Sequence, residues 1–510
     1  MKVKDLLFGR RNEERVAIQY RGINTSYRQL HLLAEKKAAI LRELSDKSNF
    51  AGIFLPNSLD FAVAYFALSY LDRIIVPISV HAKQPELFST IKYCGIRIIL
   101  TNKEYGQLLF KELSNSDASV MIVDIETNSV QMAGRNELTS FPTTCCQSHL
   151  NDVAVLLHTS GSTSNPKRVM LTHDNLLVNI RSNVESLQLT QKDRVLIALP
   201  MIFGYCHTAQ FLTHLYLGAV IVIMDSFFLP GLWYKTIQKE KITNFTAVPS
   251  MLYMIAAWAR NRIVNYDLTS LRYICFGGGV MPAGRIAELM DIFPSAGMVH
   301  TYGQTEAGPR ISALLPVDAR RKLGSIGKAI PGVEVQIVSD FEGEAGIREI
   351  GELIVRGTNI MKGYFGASEE TAKVLKNGWL YTGDLGFKDE EGFLYLVGRK
   401  KNIIISLGMN IYPEEIEEIL LDHPAVKEAC VEGYPSELMG EGIAAKIVIY
   451  KEANSVSESE IIRYCMERLS SFKVPHRITL VSDLPKTLTG KIRRNSNDRD
   501  AEFNPCLERM

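Results

Sequence analysis

No apolar run in the sequence approaches the ~20 residues that a membrane-spanning helix needs, and the first residues, MKVKDLLFGRRNEER, become charged before a signal-peptide core could form. The eight cysteines are scattered, and none has the CxxC or Cys/His spacing of a zinc site. HExxH, GxSxG and a GxGxxG after the first strand are also absent, so metalloproteases, serine hydrolases and dinucleotide enzymes lack their usual groups here. We therefore expect a cytoplasmic protein with no membrane span and with reduced cysteines.

Net charge and chain length limit the kinds of partner and the number of domains that the protein can have. The 57 Lys and Arg residues nearly balance the 56 Asp and Glu residues, so no excess of positive charge indicates a nucleic-acid partner. At 510 residues the chain exceeds what one hydrophobic core usually organises. At least two domains are expected.

Short β-branched runs alternate with helical patterns from about residue 150 to 305, for example VAVLLHT, HDNLLVNIRSNVESL, RVLIALP and AVIVIMD. This alternation predicts βαβ units that form a mostly parallel sheet covered by helices. The first 150 residues repeat the pattern more loosely. The fold class is therefore predicted to be α/β, with two α/β halves.

The pattern changes at about residue 324, where short strands separated by glycine turns begin, among them VEVQIV, GELIVRG and GFLYLVG. They predict a small β subdomain that ends at about residue 398. Beyond Arg399 helices and strands alternate over about a hundred residues, which is long enough for a small α+β domain. We place the boundary in the charged stretch GRKKN, with a large domain at 1–400 and a small domain at 401–510.

The segment HTSGSTSNPK, residues 158–167, follows a predicted strand and precedes a predicted helix. Backbone amides and hydroxyl groups of small residues can converge on phosphate oxygens, and Lys167 adds a compensating positive charge. The GK[ST] ending of a Walker loop is missing. By composition alone the segment is more often a solvated loop.

This segment resembles the phosphate loop YTSGTTGxPKG of the superfamily of acyl-CoA synthetases, peptide-synthetase adenylation domains and firefly-type luciferases. The resemblance implies that the ATP phosphates are bound by Thr159, Ser160, Gly161, Ser162, Thr163 and Lys167. The chain departs from the family pattern at His158, Ser162, Ser164 and Arg168. A serine at 164 in place of glycine is expected to stiffen the loop and to tune phosphate binding.

The segment YGQTE follows a predicted strand, at the edge of the sheet where such folds bind ligands. Without further context this segment would be interpreted as a polar turn. The resemblance implies that Tyr302 stacks on adenine, that Thr305 holds a phosphate and that Glu306 takes part in catalysis as the ligand of magnesium, a cation that prefers oxygen ligands.

Two more segments match the nucleotide site of the family. Gly278 and Gly279 in FGGGVMP would let a flat base or an acyl chain approach the backbone, although a glycine-rich helix cap is the ordinary alternative. Asp384 in YTGDL is predicted to lie in a β-turn. The resemblance implies that Asp384 and Arg399 bind the ribose.

The C-terminal part carries the remaining matches. The resemblance implies that the small domain is mobile, with Lys401 as its hinge and Gly408 beside the channel for pantetheine. Lys491, in the turn of LPKTLTGKIRR, is the implied catalytic lysine, whose charge offsets the negative charge that develops between the carboxylate and the α-phosphate.

The function that the resemblance implies is that of an AMP-forming acid–thiol ligase. A carboxylate attacks the α-phosphorus of ATP with magnesium present, pyrophosphate leaves, and the acyl-AMP passes its acyl group to a thiol. The thiol belongs either to coenzyme A or to the phosphopantetheine of an acyl or peptidyl carrier protein. We expect a free-standing enzyme, as a monomer or a homodimer.

The acid is a small carboxylic acid, and in the family its pocket is lined from the segment that reads PMIFGYCHT here. Phe203, Tyr205 and His207 are the candidates in that segment, and Met251 and Gly303 are added from elsewhere. Members that activate α-amino acids place an Asp in this segment, and this chain has none. An uncharged aryl or aliphatic acid is favoured, with His207 as an alternative ligand for a polar tail.

Two functions of other classes stay open. A luciferase-like oxidation of the adenylate would be revealed by light emission or oxygen uptake. A nucleotide-binding pseudoenzyme would be consistent with Ser164 and Arg168, although Glu306, Lys401 and Lys491 are all present.

Overall fold

The structure is a computed structural model, which describes residues 1–44, 48–82, 84–114, 116, 119–134, 150–158, 167–224, 229–259, 266–279, 281–339, 343–406, 409–436, 439–450, 456–487 and 491–494. Within these ranges no helix is long and apolar enough to cross a membrane. The cysteines in these ranges, Cys94, Cys206, Cys275, Cys430 and Cys465, are free and buried, as the sequence predicted.

The strands fall into four groups along the chain. The first group is β1 (Val16–Tyr20), β2 (Ile23–Ser26), β3 (Phe50–Ile53), β4 (Ile74–Pro77), β5 (Ile98–Thr101), β6 (Val120–Asp124) and β7 (Val130–Ala133). The second is β8 (Val153–His158), β9 (Arg168–Thr172), β10 (Arg194–Ile197), β11 (Val220–Ile223), β12 (Asn244–Ala247), β13 (Tyr273–Phe276), β14 (Gly297–Gln304) and β15 (Gly308–Leu314). The third is β16 (Lys328–Ala329), β17 (Val333–Val338), β18 (Gly351–Gly357), β19 (Gly363–Tyr364), β20 (Leu375–Lys376), β21 (Trp379–Lys388) and β22 (Leu394–Arg399). The fourth is β23 (Ile404–Ser406), β24 (Met409–Ile411), β25 (Val426–Ser436), β26 (Gly440–Ile449) and β27 (Arg477–Leu480).

The helices alternate with these strands. The first are α1 (Asp5–Phe8), α2 (Tyr27–Glu43), α3 (Leu59–Tyr70), α4 (Gln84–Cys94) and α5 (Lys103–Leu113). The next are α6 (His173–Leu187), α7 (Gly204–Cys206), α8 (Thr213–Leu217), α9 (Pro230–Glu240), α10 (Pro249–Ala259) and α11 (Ala283–Ile292). The last are α12 (Pro316–Ala319), α13 (Ser368–Val374), α14 (Pro413–Asp422) and α15 (Glu458–Met466). A π-helix, His207–Leu212, joins α7 to α8, and 3₁₀ turns occupy Thr305–Ala307, Lys400–Asn402 and Ser471–Lys473.

Two large sheets form the body of the large domain, which confirms the predicted α/β class. One has eight strands in the order β19-β9-β8-β4-β3-β5-β6-β7, and the other has nine in the order β16-β15-β14-β13-β12-β10-β11-β1-β2. Most pairings inside them are parallel, and antiparallel strands close their edges. The halves are not consecutive in the chain, because β1 joins β11 of the second sheet while β8 joins β4 of the first.

Local sequence explains the element that leads away from the predicted phosphate loop. Thr172 caps α6 in a reciprocal capping box with Asn175, so the helix starts and ends at the predicted residues, His173 and Leu187. The sequence analysis did not predict β9, which pairs antiparallel with β8 through His158 and Arg168. The loop between them therefore connects two neighbouring strands rather than a strand and a helix.

The β subdomain is a five-stranded sheet of β17, β18, β20, β21 and β22, in agreement with the predicted strands. Asp384 lies inside β21 rather than in an isolated turn, and its direct partner across the ladder is Arg399 on β22. The turn prediction was wrong because Gly383 takes a positive φ of 72° within a strand that continues past it.

The C-terminal part forms a separate five-stranded sheet of β23 to β27, with its own hydrophobic core between Ile404 and Ile478. Pro413 opens α14, followed by Glu414 and Glu415 in the first turn, as expected for a helix start. The 3₁₀ turn that contains Lys401 joins β22 of the large domain to β23 of this sheet.

Candidate active site

A cavity of about 3150 Å³ is lined both by the large domain and by the C-terminal sheet and its neighbouring segments. Most of the predicted site residues in the described ranges line it: Lys167, Phe203, Tyr205, Gly278, Gly279, Tyr302, Gly303, Thr305, Glu306, Asp384, Arg399, Lys401 and Lys491. The structure therefore brings together residues that lie hundreds of positions apart in the chain. The predicted phosphate-loop residues Thr159, Ser160, Gly161, Ser162 and Thr163, and Gly408 near the hinge, lie outside the described residues.

Asp384 is the centre of a hydrogen-bond network at one end of the cavity. The Tyr302 hydroxyl donates to Asp384 Oδ2 at 2.7 Å, and Gln304 Nε2 donates to the same oxygen at 2.6 Å. Arg399 Nε forms an ion pair with Asp384 Oδ1 at 2.8 Å. Burial first, and then the negative charge of Asp384, raise the pKa of Tyr302, so this phenol stays a hydrogen-bond donor.

The backbone between β13, β14 and β15 leaves no room for side chains at two glycines. A Cβ on Gly277 would lie 2.2 Å from the Thr301 carbonyl oxygen, and one on Gly303 would lie 2.3 Å from the Pro309 carbonyl oxygen. Only glycine permits so close an approach of neighbouring strands. The cavity wall next to Tyr302 is therefore flat backbone, suited to a planar ring.

Glu306 and Lys167 are linked through Tyr364, a residue that the sequence analysis did not single out. The Tyr364 hydroxyl donates to Glu306 Oε1 at 2.9 Å, and the ammonium of Lys167 lies 4.7 Å from the centre of the Tyr364 ring. Lys167 also forms an ion pair with Glu370 on α13 at 2.8 Å. Burial raises the pKa of Tyr364, and the Glu306 carboxylate raises it further.

Lys491 enters this cavity from the C-terminal part. Its Cε lies 3.8 Å from the position that a Cβ would take on Gly278. Lys491 is exposed to the cavity, yet desolvation by the surrounding protein lowers its pKa and the positive charge of Arg399 lowers it further, while Asp384 and Glu306 act in the opposite sense. The ammonium therefore shares its surroundings with the Asp384 network and with Glu306.

Two sets of contacts fix the segment that carries Lys491. The Thr487 N–H donates to the Lys491 carbonyl oxygen at 2.7 Å. Arg494 forms ion pairs with Glu414 at 2.8 Å and with Glu417 at 2.6 Å, both on α14. Asn402, beside the predicted hinge, donates to Glu414 at 2.9 Å, so the turn and the hinge are tied to the same helix.

Two predicted pocket residues do not line the cavity. His207 is fully buried, and its Nε2 lies 2.9 Å from the Tyr65 hydroxyl in the aromatic core. The π-helix turns this side chain inward while Tyr205 and Thr208 face the cavity. Met251 packs into the main hydrophobic core, and Tyr253 and Met254 from the same helix line the cavity instead.

The unusual residues beside the phosphate loop have structural partners. The Arg168 guanidinium stacks over the Tyr93 ring at 4.4 Å and lies 3.4 Å from the Ser89 hydroxyl of α4. His158 lines the cavity, and burial lowers its pKa to about 4, with a further contribution from Arg168. Arg168 therefore ties the end of the loop to α4, which the family glycine has no side chain to do.

Gln304 and Tyr364 join the site although sequence reasoning missed them. Gln304 was overlooked because YGQTE was read as a loop, whereas β14 runs through Gln304 and places it on the same face as Tyr302. Nothing local to the sequence distinguishes Tyr364 from a core tyrosine.

Comparisons with known proteins agree with this arrangement. Residues 8–365 match the domain described as AMP-binding enzyme, and residues 415–491 match the AMP-binding enzyme C-terminal domain. The 2-succinylbenzoate–CoA ligase of Bacillus subtilis (strain 168) is 31% identical over 484 residues, which cover 94% of each chain. The feruloyl-CoA synthase of Amycolatopsis sp is 30% identical and covers 93% of this chain and 94% of its own length.

A solved structure of the o-succinylbenzoate coenzyme A synthetase of Bacillus subtilis, in complex with ATP and magnesium ion, superposes with a TM-score of 0.84. It is 30% identical and covers 97% of this chain and 99% of its own. A second structure of that protein, with the acyl-adenylate intermediate OSB-AMP, has a TM-score of 0.84 at 29% identity and covers 98% of each chain. The predicted class of AMP-forming acid–thiol ligase is confirmed by these relatives, and the chain belongs to the AMP-binding enzyme family.

Proposed function

We propose that this enzyme activates a small carboxylic acid with ATP to an acyl-AMP and then forms a thioester with coenzyme A. The observation that carries the proposal is the meeting of Lys491, from the C-terminal part, with Glu306 and Asp384 of the large domain in one cavity. Structures of relatives with ATP and with an acyl-adenylate support the first step, and the names of the relatives as CoA ligases support the second.

The nucleotide is held by groups of the large domain. The Tyr302 ring stacks on adenine beside the backbone of Gly278 and Gly279, while Asp384 and Arg399 bind the ribose hydroxyls. Asp384 uses Oδ1 for Arg399 and Oδ2 for Tyr302 and Gln304, and a carboxylate with about four acceptor positions retains one for a hydroxyl group. Thr305, Lys167 and the loop residues 159–163 bind the phosphates.

Magnesium fits the carboxylate of Glu306. Magnesium commonly uses one or two protein carboxylates together with substrate phosphates and water. Among the described residues no cluster of three or more His, Cys, Asp or Glu side chains could hold a metal by itself, which agrees with a cation shared with ATP. When bound, the ion would offset phosphate charge, and Tyr364, by holding Glu306 Oε1, leaves Oε2 for it.

Lys491 serves the first half-reaction. A carboxylate oxygen of the acid attacks the α-phosphorus, the bond to the pyrophosphate oxygen breaks, and negative charge builds up between the two reacting groups. A positive charge that is already in place at that position lowers the barrier without reorganisation. Lys167 forms an ion pair with Glu370 in the structure. If its ammonium exchanged Glu370 for a phosphate of ATP, its positive charge would stabilise the nucleotide.

The second half-reaction requires a different arrangement of the small domain, 401–510. Rotation about Lys401 withdraws Lys491 and brings the segment of Gly408 to the channel through which the thiol enters. The tie between Asn402, Glu414 and Arg494 makes the turn of Lys491 and the hinge move as one unit. We propose coenzyme A as the acceptor, with a carrier-protein phosphopantetheine as an outcome that the experiment would reveal.

The acid lies in the part of the cavity lined by Phe203, Tyr205 and Gly303. Thr208 and Pro309 also line the cavity. His207 is removed from the candidates by its burial against Tyr65. The cytoplasmic location and the monomeric or homodimeric state stay predictions.

Acid-dependent exchange of labelled pyrophosphate into ATP, measured over a panel of acids, tests the first step. The active acids are then incubated with coenzyme A or with a phosphopantetheinylated carrier protein, and thioester is quantified. We expect exchange with at least one acid and thioester only with coenzyme A. Exchange with no acid would contradict adenylation, and loading of the carrier alone would contradict the acceptor.

A further inference from the structure

Arg310 on β15 is a charged side chain in the interior without an acidic partner. It is 2% exposed, and no carboxylate of the described residues forms an ion pair with it. Within the part of the chain that the structure describes, its Nε and Nη1 have no nitrogen or oxygen partner, and the guanidinium interacts with the Cys275 thiol. An arginine is always charged, and burying one without a counter-charge is strongly unfavourable. Such a group is therefore a candidate for binding an anion that the protein itself does not supply.

The elements that pack against β15 carry further buried polar atoms without a partner among the described residues. They are Asn179 Oδ1 and Asn183 Oδ1 on α6 and Gln210 Oε1 on the π-helix. Asn179 donates to the carbonyl oxygen of Arg310 at 2.9 Å, and α6, the π-helix and β15 pack against one another. Unpaired polar groups concentrated beside a π-helix are typical of functional sites rather than of ordinary cores.

Arg310 lies directly behind the wall of the acid pocket. Pro309, the preceding residue, lines the cavity, and so do Tyr205 and Thr208. Burial raises the pKa of the Tyr205 phenol, and the nearby positive charge of Arg310 opposes that rise. The Tyr205 hydroxyl is bonded to Thr301 Oγ1 at 2.6 Å, which fixes the end of this cavity-lining ring.

We propose that Arg310 binds a second carboxylate at the far end of the acid, so that the preferred substrates are dicarboxylic acids. The inference rests on the proposed adenylation of an acid in this cavity. A shift of the Tyr205 ring opens the path, and the second carboxylate accepts hydrogen bonds from Nε and Nη1. The segment PMIFGYCHT has no Asp, which favoured an acid with an uncharged aryl or aliphatic remainder. With Arg310 as a ligand, the favoured acid instead carries a second carboxylate.

Matched pairs of acids test the assignment. Benzoate, hexanoate and octanoate are compared with terephthalate, adipate and suberate, which carry a second carboxylate at the far end. Pyrophosphate exchange gives kcat/KM for each acid with the wild-type enzyme, with Arg310→Met, with Arg310→Lys and with Arg194→Met as a control. Arg194 hydrogen-bonds Gln19 at 3.0 Å away from the cavity.

We expect the wild-type enzyme to prefer the dicarboxylate of at least one pair, and Arg310→Met to lose that preference by about 10²-fold, the scale for removing one partner of a buried charge pair. Arg310→Lys should retain part of the preference, and Arg194→Met all of it.

The wild-type comparison needs no variant, so misfolding of Arg310→Met does not remove the test. Equal kcat/KM within every pair, or a preference that Arg310→Met leaves intact, would overturn the role of Arg310 while adenylation stands, and buried water would then be its partner. Exchange with no acid in either arm would overturn the proposed function and this inference with it.

Discussion

Replacement of Lys491 by alanine should separate the two half-reactions. In the structure the ammonium shares the cavity with Glu306, Asp384 and Arg399, and its Cε is close to Gly278. Loss of one positioned charge donor at a developing negative charge costs about 3 to 4 kcal/mol, which corresponds to about 10² to 10³-fold in rate. We therefore expect adenylation to fall by about 10²-fold or more. Thioester formation from preformed acyl-AMP should keep its rate, because we propose that Lys491 leaves the site before that step.

Pyrophosphate exchange measures the first half-reaction, and release of thioester from added acyl-AMP measures the second. Arg468→Ala is a suitable control, since this arginine of the same domain forms an ion pair with Glu467 at 2.9 Å and does not line the cavity. An equal loss of both half-reactions in Lys491→Ala, or full retention of exchange, would refute the role given to the lysine.

The pH dependence of adenylation tests the role of Lys491 independently. Enclosure and Arg399 hold the pKa of Lys491 below the 10.5 of a free lysine. The protonated form stabilises the transition state, so adenylation should decline as the pH rises through this lowered pKa. The alkaline decline should be absent from the residual activity of Lys491→Ala and from the thioester step. An unchanged profile in the variant would assign the titration to another group.

Three further outcomes are expected. Tyr364→Phe removes the hydrogen bond to Glu306 but keeps the ring under Lys167. The magnesium concentration for half-maximal exchange should therefore rise by about 10-fold or more, the scale of one hydrogen bond to a charged group. An unchanged magnesium requirement would contradict the positioning role of Tyr364. Lys401→Pro fixes φ at the hinge and should spare exchange while it blocks thioester formation, and equal effects on both would exclude the hinge. Burial lowers the pKa of His214 and of His300 to about 4 from 6.5, so the unfolded state takes up protons first and stability is lost as the pH falls from about 6.5 towards 4. The loss is on the order of 3 kcal/mol for each histidine, and urea titrations that give the same free energy of unfolding at pH 7 and pH 5 would contradict it.

The sequence by itself determined many of the helices and strands and the types of side chain that the site contains. The helical pattern HDNLLVNIRSNVESL predicted the helix that the structure places at His173–Leu187, because a helical period acts within a few positions and the Thr172 cap is equally local. The order of the motifs around Glu306, Asp384 and Lys491 identified the family, since each is a short run of residues that can be read without knowing its neighbours in space.

Only the tertiary structure decided which residues meet. Asp384 was read as a turn residue, and strand pairing across β21 and β22 placed it opposite Arg399. His207 and Tyr205 are two positions apart, yet His207, at the start of the π-helix, lies in the core, while Tyr205, on α7, lines the cavity. Arg310 is hydrophilic in sequence and fully enclosed in the fold. Pairing register, burial and the approach of Lys491 depend on contacts between segments that are distant in the chain, and a local pattern carries no information about them.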